Sequence, residues 1–559
     1  MRKRRLSQSI PPETDGEQRE SQKDHSQSAN QRQQDRKKHR QHVLRAGLAV
    51  VAGRAAGAIS RRLHLGGGTS IVGIVAQRIY PEIIEHLATQ LECGSVIVTG
   101  TNGKTTTSGF IAAILRNSGL RVWHNREGSN LMRGVASLFV ICAKPNGQLR
   151  RSGRRAISIL EIDEATIPQI VKVIEPRVAV FNNLFRDQLD RYGEVDSIIS
   201  HWREAISQMP ASTILVLNAD DPSIAHLATG FSGKVLYYGI DDPSLDLQRQ
   251  HANSEQYQVS DARTCSNCGR EYTYDLRFYS HIGHYHCTNC GFHRPKPDIR
   301  AIQVQLDSFD HHRITIEHTA QQHEIIVPLP GLYNVYNALA AITAAHALNT
   351  DWQPIITGIE QSKPAFGRGE LIQAEDRTIR LLLAKNPTGF NEVLRTLFSE
   401  GISRHTLFIL NDNIADGQDV SWIWDVDFER AVGHTQTLVV SGTRALDLAI
   451  RLKYAGIPQK EMTIIPHMPL KGERGTHQTR QQRGANKNQK ERQTLPDSEQ
   501  INSQIANSYG LKSALDTALQ QTPVGETLFI VPTYTGLLAV YRELEQRSLT
   551  PHFWEGKEA

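Results

Sequence analysis

The sequence predicts an α/β protein: a P-loop α/β domain interrupted by a four-cysteine zinc ribbon, followed by a second, Rossmann-like α/β domain. Three observations predict it. From Ser95 to Gly119 an apolar run (Val96, Ile97, Val98) leads through TGTNGKTTT into a pattern with Ile111, Ile114 and Leu115 at i, i+3 and i+4, giving strand, loop and helix in one stretch. Beyond it, apolar runs such as ISILEI, VAVFNNL and TILVLNA alternate with helix-like stretches such as EVDSIISHWREAISQM, the signature of a mostly parallel sheet. Residues 265–290 hold CSNC and, 18 residues on, CTNC. At that spacing four thiolates surround one tetrahedral zinc ion.

Length and charge bound the rest. A chain of 559 residues exceeds what one core supports, so two or three domains are expected beside segments that do not pack. Residues 1–41 hold 11 Lys+Arg against 6 Asp+Glu, with only Leu6 and Ile10 as large apolar residues besides the initiator Met, which predicts a disordered basic tail. A Gln-, Lys-, Arg- and Asn-rich stretch at 471–504 predicts a disordered insertion. With residues 1–41 and 471–500 set aside the remainder is mildly acidic, so the overall charge of +5 gives no argument for nucleic-acid binding. No apolar h-region follows MRKRRLSQS, and no run reaches the ~18 apolar residues of a spanning helix. The expectation is a cytoplasmic protein with at most peripheral contact at the inner face of the plasma membrane.

Residues 42–92 read as a helical segment: an Ala-rich helix from about His42 to Leu65 carrying Arg45, Arg54, Arg61 and Arg62, then a second through YPEIIEHLATQL. The first domain is expected at 93–370. In its loop, Gly100 and Gly103 let backbone N–H groups approach a polyphosphate, Lys104 supplies a point charge, and Thr105 offers a hydroxyl to Mg²⁺ at the positive end of a helix. The usual P-loop has four residues between its glycines; here there are two. Polar residues follow the predicted strands, where ligands bind in such sheets: Glu161 and Asp163, Asn182 and Asn183, Asn218 with Asp220 and Asp221. Glu161 is a candidate Mg²⁺ ligand, and by spacing alone a carboxylate capping the next helix is an alternative reading.

The ribbon is expected at about 261–295. A closed site of Cys265, Cys268, Cys287 and Cys290 leaves no open coordination position, so its zinc is expected to be structural. His281, His284 and His286 nearby read as loop or surface residues, and Cys93 and Cys142 as buried small hydrophobes. GLYNVYNALAAITAAHAL reads as a loop entering an Ala-rich helix. The second domain, 371–559, has the predicted strands RLLLA, TLFIL, TLVVS and ETLFIV.

TGTNGKTTT, LEIDE, FNNLFRDQLDRYGE, LNADDP, GLYNVYNALAA and FGRGE occur in the order and approximate spacing of the Mur ligase central domain, and residues from about 94 to 370 resemble that family. Mur ligases activate a carboxylate as an acyl phosphate with ATP and then couple an amine. The resemblance implies nucleotide contacts from Gly100, Thr101, Asn102, Gly103, Lys104, Thr105, Thr106, Asn183, Asn334 and Arg368, and Mg²⁺ on Thr105 and Glu161. Two features depart from the common pattern: Gln188 stands where many members have His, and the ribbon interrupts the domain. With AKNPTGFNEVL and LNDNIADGQDVSWIWDVDFE, these features resemble the MurT branch of the family. That branch implies ATP-dependent amidation of the α-carboxylate of D-glutamate in the lipid II stem peptide, giving D-isoglutamine, in a heterodimer with a GatD-like glutamine amidotransferase subunit that releases the ammonia. It also implies that Asp419 completes the partner's Cys–His pair, with Asp412, Asp416 and Asp425 in reserve. The cysteine positions agree, since none lies beyond Cys290 and the last domain has no thiol nucleophile. The competing readings are a self-sufficient Mur- or folylpolyglutamate-type amino-acid ligase, and a zinc-ribbon binding module with a vestigial phosphate loop. NPTGFN and DGQDVSW speak against the first, and intact Lys104, Thr105 and Glu161 against the second.

Overall fold

The computed structural model describes residues 42–60, 62, 69–125, 130–150, 153, 155–186, 195–247, 262–306, 309–364, 366–398, 401–466 and 510–550. The expected tail at 1–41, the insertion at 471–504 and Gln188 lie outside the described residues. The chain divides into two units, residues 1–90 with 133–152 and residues 91–132 with 153–559.

The first unit is helical. Helix His42–Ser60 is followed by Thr69–Ile79 and Ile83–Ala88; the sequence reading has no separate element at 69–79. Against the expectation of no spanning-length stretch, His42–Ser60 is long and apolar enough by composition to cross a membrane, because Arg45 and Arg54 are its only Lys, Arg, Asp or Glu residues. Its small residues hold it against the rest of the unit. A Cβ on Gly53 would meet the Val72 carbonyl at 2.8 Å, and Arg54 donates to the Val140, Ile141 and Ala143 carbonyls of the segment that ends helix Met132–Cys142.

Among the described residues the second unit holds a nine-stranded sheet, a six-stranded sheet and a separate two-stranded hairpin. Parallel strands β1 (Ser95–Thr99), β2 (Arg121–His124), β3 (Ala156–Glu161), β4 (Val178–Phe181), β5 (Ile214–Asn218) and β6 (Lys234–Ile240) come first. The antiparallel hairpin β7 (Thr273–Tyr279) and β8 (Ile282–His286) follows, then β9 (Ile299–Gln305), β10 (His312–His318) and β11 (Gln321–Val327). The nine-stranded sheet runs β11-β10-β9-β6-β5-β4-β1-β3-β2, with β9 to β11 antiparallel to one another. Alternation in the sequence identifies the parallel part, where β1, β3 and β4 are buried at every position. Helix Leu332–Ala347 is buried on nearly all sides, which accounts for its lack of a polar face.

The second sheet contains β12 (Arg368–Ala374), β13 (Arg377–Leu382), β14 (Arg404–Ile409), β15 (Thr435–Gly442), β16 (Met462–Pro466) and β17 (Thr527–Pro532), in the order β12-β13-β17-β14-β15-β16. All neighbours are parallel except β12 and β13. Arg368, in the FGRGE motif, opens the first strand of this second sheet.

The histidines of the β7–β8 hairpin correct the sequence reading in part: His281 occupies the turn, as read, but not the surface, and His284 and His286 lie in β8. His281 is fully buried, 3.4 Å from Asp221 Oδ2, and its ring packs 4.8 Å from Phe185. His284 is half-buried on the Ile240 carbonyl, and His286 is the most exposed of the three. The cause is the hairpin tip, which enters the main core with Phe278, Tyr279 and Ile282. Cys93 is buried as expected, but Cys142 is only half-buried.

Candidate active site at the phosphate loop

β1 delivers the chain into Thr101–Gly103, and helix Lys104–Asn117 leaves it. Both loop glycines are required by geometry. Gly100 has φ +138° and Gly103 φ +82°, and a Cβ on Gly103 would lie 2.0 Å from Asn337 Oδ1. The loop is held from β4: Asn183 Oδ1 accepts from the Asn102 N–H at 2.9 Å, and Asn183 Nδ2 donates to the Asn102 carbonyl at 3.1 Å. Thr101 exchanges hydrogen bonds with the Phe185 backbone.

Lys104 is buried. Its Nζ donates to Glu164 Oε1 at 2.6 Å and to the Gly100 carbonyl at 2.6 Å. Burial pulls its pKa down, but the carboxylates of Glu164 and then of Glu161 and Asp163 together more than offset this, so the ammonium is held above its ordinary value. Glu164 lies in the quoted LEIDE motif, yet the sequence reading gave it no role. Its pairing with Lys104 depends on the short helical turn Glu164–Thr166, capped by Asp163 accepting from the Ala165 N–H.

A cavity of about 350 Å³ opens in front of the loop. Asn102, Lys104, Thr105, Glu161, Asn183 and Arg368 line it together. Asn334 does not; its side chain is spent on the Pro330 carbonyl and on Asn337, while its neighbours Tyr333 and Asn337 reach the cavity. Gly100 is likewise outside the lining, beneath Lys104.

The donor set suits a hard divalent cation. Among the described residues Glu161 Oε2 is buried without a hydrogen-bond partner, in the same cavity as Thr105. An orphaned buried carboxylate oxygen is costly unless a cation or donor meets it. Thr105 and Glu161 therefore offer the hard oxygen ligands that Mg²⁺ takes, with its other positions left to water and phosphate.

Residues far along the chain complete the wall. Asn386 Nδ2 donates to Asn102 Oδ1 at 3.1 Å, and Asn386 Oδ1 caps the next helix, Pro387–Phe398, through the Gly389 N–H. One turn further, Glu392 lines the cavity with its carboxyl buried. Burial raises its pKa, and Arg395 and Arg430 only partly counter this. Tyr279, from the hairpin tip, lines the same cavity, while Arg395 donates to the Phe278 carbonyl at 2.6 Å.

At the base of that hairpin the four expected cysteines converge. Cys265 and Cys290 sulfurs are 3.5 Å apart, as are those of Cys268 and Cys287, and all four lie within 4.8 Å of one another. A tetrahedral ion with Zn–S bonds of about 2.3 Å needs sulfurs roughly 3.8 Å apart, so the cluster fits one.

The loop after β14 separates the carboxylates named from the sequence. Asp416 is buried and accepts from the Thr535 N–H at 2.7 Å. Asp412 pairs with Arg444 at 2.8 Å, and Asp425 faces Arg186 at 3.7 Å. Asp419 accepts from the Ser421 N–H at 2.8 Å, and this bond holds its pKa below the ordinary value. Asp419 is outside the cavity lining, whereas Ala415, four residues earlier, is part of it.

The family described as Mur ligase middle domain matches residues 98–290, and that described as MurT ligase C-terminal matches residues 383–495. A relative from Staphylococcus aureus (strain COL), the lipid II isoglutaminyl synthase (glutamine-hydrolyzing) subunit MurT, is 36% identical over 414 residues, covering 73% of this chain and 87% of its own length. The chain belongs to the MurT family. The Streptococcus pneumoniae MurT subunit agrees, at 34% identity over 421 residues, 75% of this chain and 89% of that one. Among solved structures, a pseudomurein peptide ligase type C from Methanothermus fervidus superposes with TM-score 0.54 at 22% identity, covering 83% of this chain and 80% of that one. MurF from Acinetobacter baumannii gives 0.54 at 16%, covering 86% and 80%. These two share the Mur ligase fold with the MurT-family chain.

Proposed function

We propose that this chain is the ATP-dependent synthetase subunit of a glutamine-hydrolysing amidotransferase, converting the α-carboxylate of D-glutamate in the lipid II stem peptide to D-isoglutamine. Membership of the MurT family supports lipid II isoglutamine synthesis in general. The observation that carries the finer reading is the cavity itself, where Lys104, Thr105 and the buried Glu161 carboxylate converge.

A carboxylate does not accept ammonia until one of its oxygens becomes a good leaving group. In this reading the chain transfers the γ-phosphoryl group of ATP to that oxygen, and ammonia then displaces phosphate from the acyl phosphate. Backbone N–H groups of the loop and the Lys104 ammonium would hold the phosphates in line. Mg²⁺, held by Thr105 and Glu161, would supply charge neutralisation of the transferred group. Asn183 and Asn386 brace Asn102 from two sides and so fix the loop's shape. Arg368 donates to Thr106 Oγ1 at 3.5 Å and presents its guanidinium to the same cavity. The cysteine cluster reads as a structural zinc ribbon whose hairpin seats Tyr279 in the wall.

Ammonia is assigned to a GatD-like glutaminase partner. No cysteine of this chain lies beyond Cys290, and Asp419 is a partly exposed carboxylate held ionised by a backbone N–H. Such a group suits the orienting role beside another chain's Cys–His pair. We read residues 93–370 as the ATP-binding domain and 371–559 as the domain that meets the partner. ATP consumption coupled to amidation of lipid II with ammonium as nitrogen donor tests the reading, with Glu161→Gln expected to lose on the order of a hundredfold in rate. Unchanged Mg²⁺-dependent activity in that variant would remove Glu161 from the site.

A further inference from the structure

Helix His42–Ser60 presents two unlike faces. Ala46, Gly47, Ala49, Val50, Gly53 and Gly57 are buried. The opposite side carries Leu44, Leu48, Val51, Ala55 and Ile59 at i, i+4, i+7, i+11 and i+15, and all five are exposed, Leu44 at 65% and Leu48 at 61%. Four large apolar side chains in a row on a solvent-facing helix are costly unless something covers them.

Charge identifies what covers them. Residues 1–90 with 133–152 hold 20 Lys+Arg against 8 Asp+Glu, while the rest of the chain holds 43 against 50. Between Arg36 and Pro81 there are 9 Lys+Arg and no Asp or Glu, so the stripe itself has no acidic residue beside it in sequence. An apolar stripe in a strongly basic setting matches an anionic bilayer, where acyl chains take the leucines and headgroups take the arginines. A basic protein surface of the same kind, or an equally basic second copy, would be repelled.

The helix cannot span the bilayer without leaving its own unit. Arg54 is tied to three backbone carbonyls, and Gly47 sits where a Cβ would meet the Pro145 carbonyl at 2.8 Å. We infer that helix His42–Ser60 lies flat on an anionic phospholipid surface, inserting Leu44, Leu48, Val51 and Ile59. The inference stands on the first unit alone and does not rest on the proposed reaction, although a chain held at a bilayer would meet a lipid-linked substrate there.

Flotation of the purified full chain with vesicles tests it, without nucleotide or substrate. The chain is expected to float with phosphatidylcholine–phosphatidylglycerol vesicles, to release at high salt, and to stay behind with phosphatidylcholine alone. Leu44→Gln/Leu48→Gln is expected to weaken binding by on the order of tenfold per leucine with an unchanged melting temperature, since both positions are exposed. Equal binding of wild type and variant, equal binding to both vesicle types, or no binding at all would overturn the inference. So would a variant that changes only the sedimentation coefficient of the free protein, which would assign the stripe to self-association.

Discussion

Lys104 and Glu164 form a buried ion pair, Nζ to Oε1 at 2.6 Å, in the wall of the phosphate-loop cavity. The lysine that is to meet a polyphosphate is thus already neutralised by the protein, and a nucleotide must compete with a carboxylate for it. Removing one partner of a buried pair costs about 3–5 kcal/mol. Glu164→Gln is therefore expected to lower the unfolding free energy by about that amount without nucleotide. ATP with Mg²⁺ should restore more stability to the variant than to the wild type, because phosphate replaces the missing charge. Thermal melts with and without nucleotide check this; an identical ATP-induced shift in both proteins would separate Lys104 from the phosphates.

The four-cysteine cluster and Tyr279 lie on the same hairpin, one at its base and one at its tip in the cavity wall. Metal analysis should find about one zinc per chain. Chelation, or Cys287→Ser, should lower both the melting temperature and the ATP-dependent activity. Loss of activity without loss of stability, or a metal-free protein with full activity, would contradict a structural ribbon.

Glu392 gives a pH signature. An exposed glutamate titrates at about 4.3, and burial raises the folded-state value above that. Well below the unfolded value both states keep the proton, and burial of the neutral acid has no electrostatic penalty. As pH rises past it, the unfolded chain releases the proton first, so unfolding becomes easier until the folded pKa is passed. Glu392→Gln removes this penalty. The variant's urea midpoint relative to wild type should therefore be higher near pH 8 than near pH 4; a difference independent of pH would show that Glu392 is not held neutral.

What the sequence made legible was local. Gly100, Gly103, Lys104 and Thr105 are contiguous or nearly so, and a strand–loop–helix pattern needs only its own residues to be read. Four cysteines in two pairs likewise declare a cluster by spacing. Contacts across the chain were not legible: Asn386 meets Asn102 from 284 positions away, and Glu392, Tyr279 and Tyr534 enter the wall from elements that nothing in their own stretches ties to a phosphate. Glu164 stands three residues from Glu161, but spacing does not say which carboxylate of LEIDE turns towards the lysine. His281 reads as a loop or surface residue because four cysteines already complete a zinc site beside it; burial on Asp221 appears only once the hairpin tip is seated in the core.

The division of labour between two chains is the central claim, and nitrogen-source dependence tests it most directly. With ATP, Mg²⁺ and lipid II, the chain alone is expected to form amidated product from ammonium and none from glutamine. A co-expressed GatD-like glutaminase should confer the glutamine reaction, and Asp419→Asn should abolish that reaction while sparing the ammonium one. Glutamine-driven product from this chain alone, or equal loss of both reactions in Asp419→Asn, would contradict it.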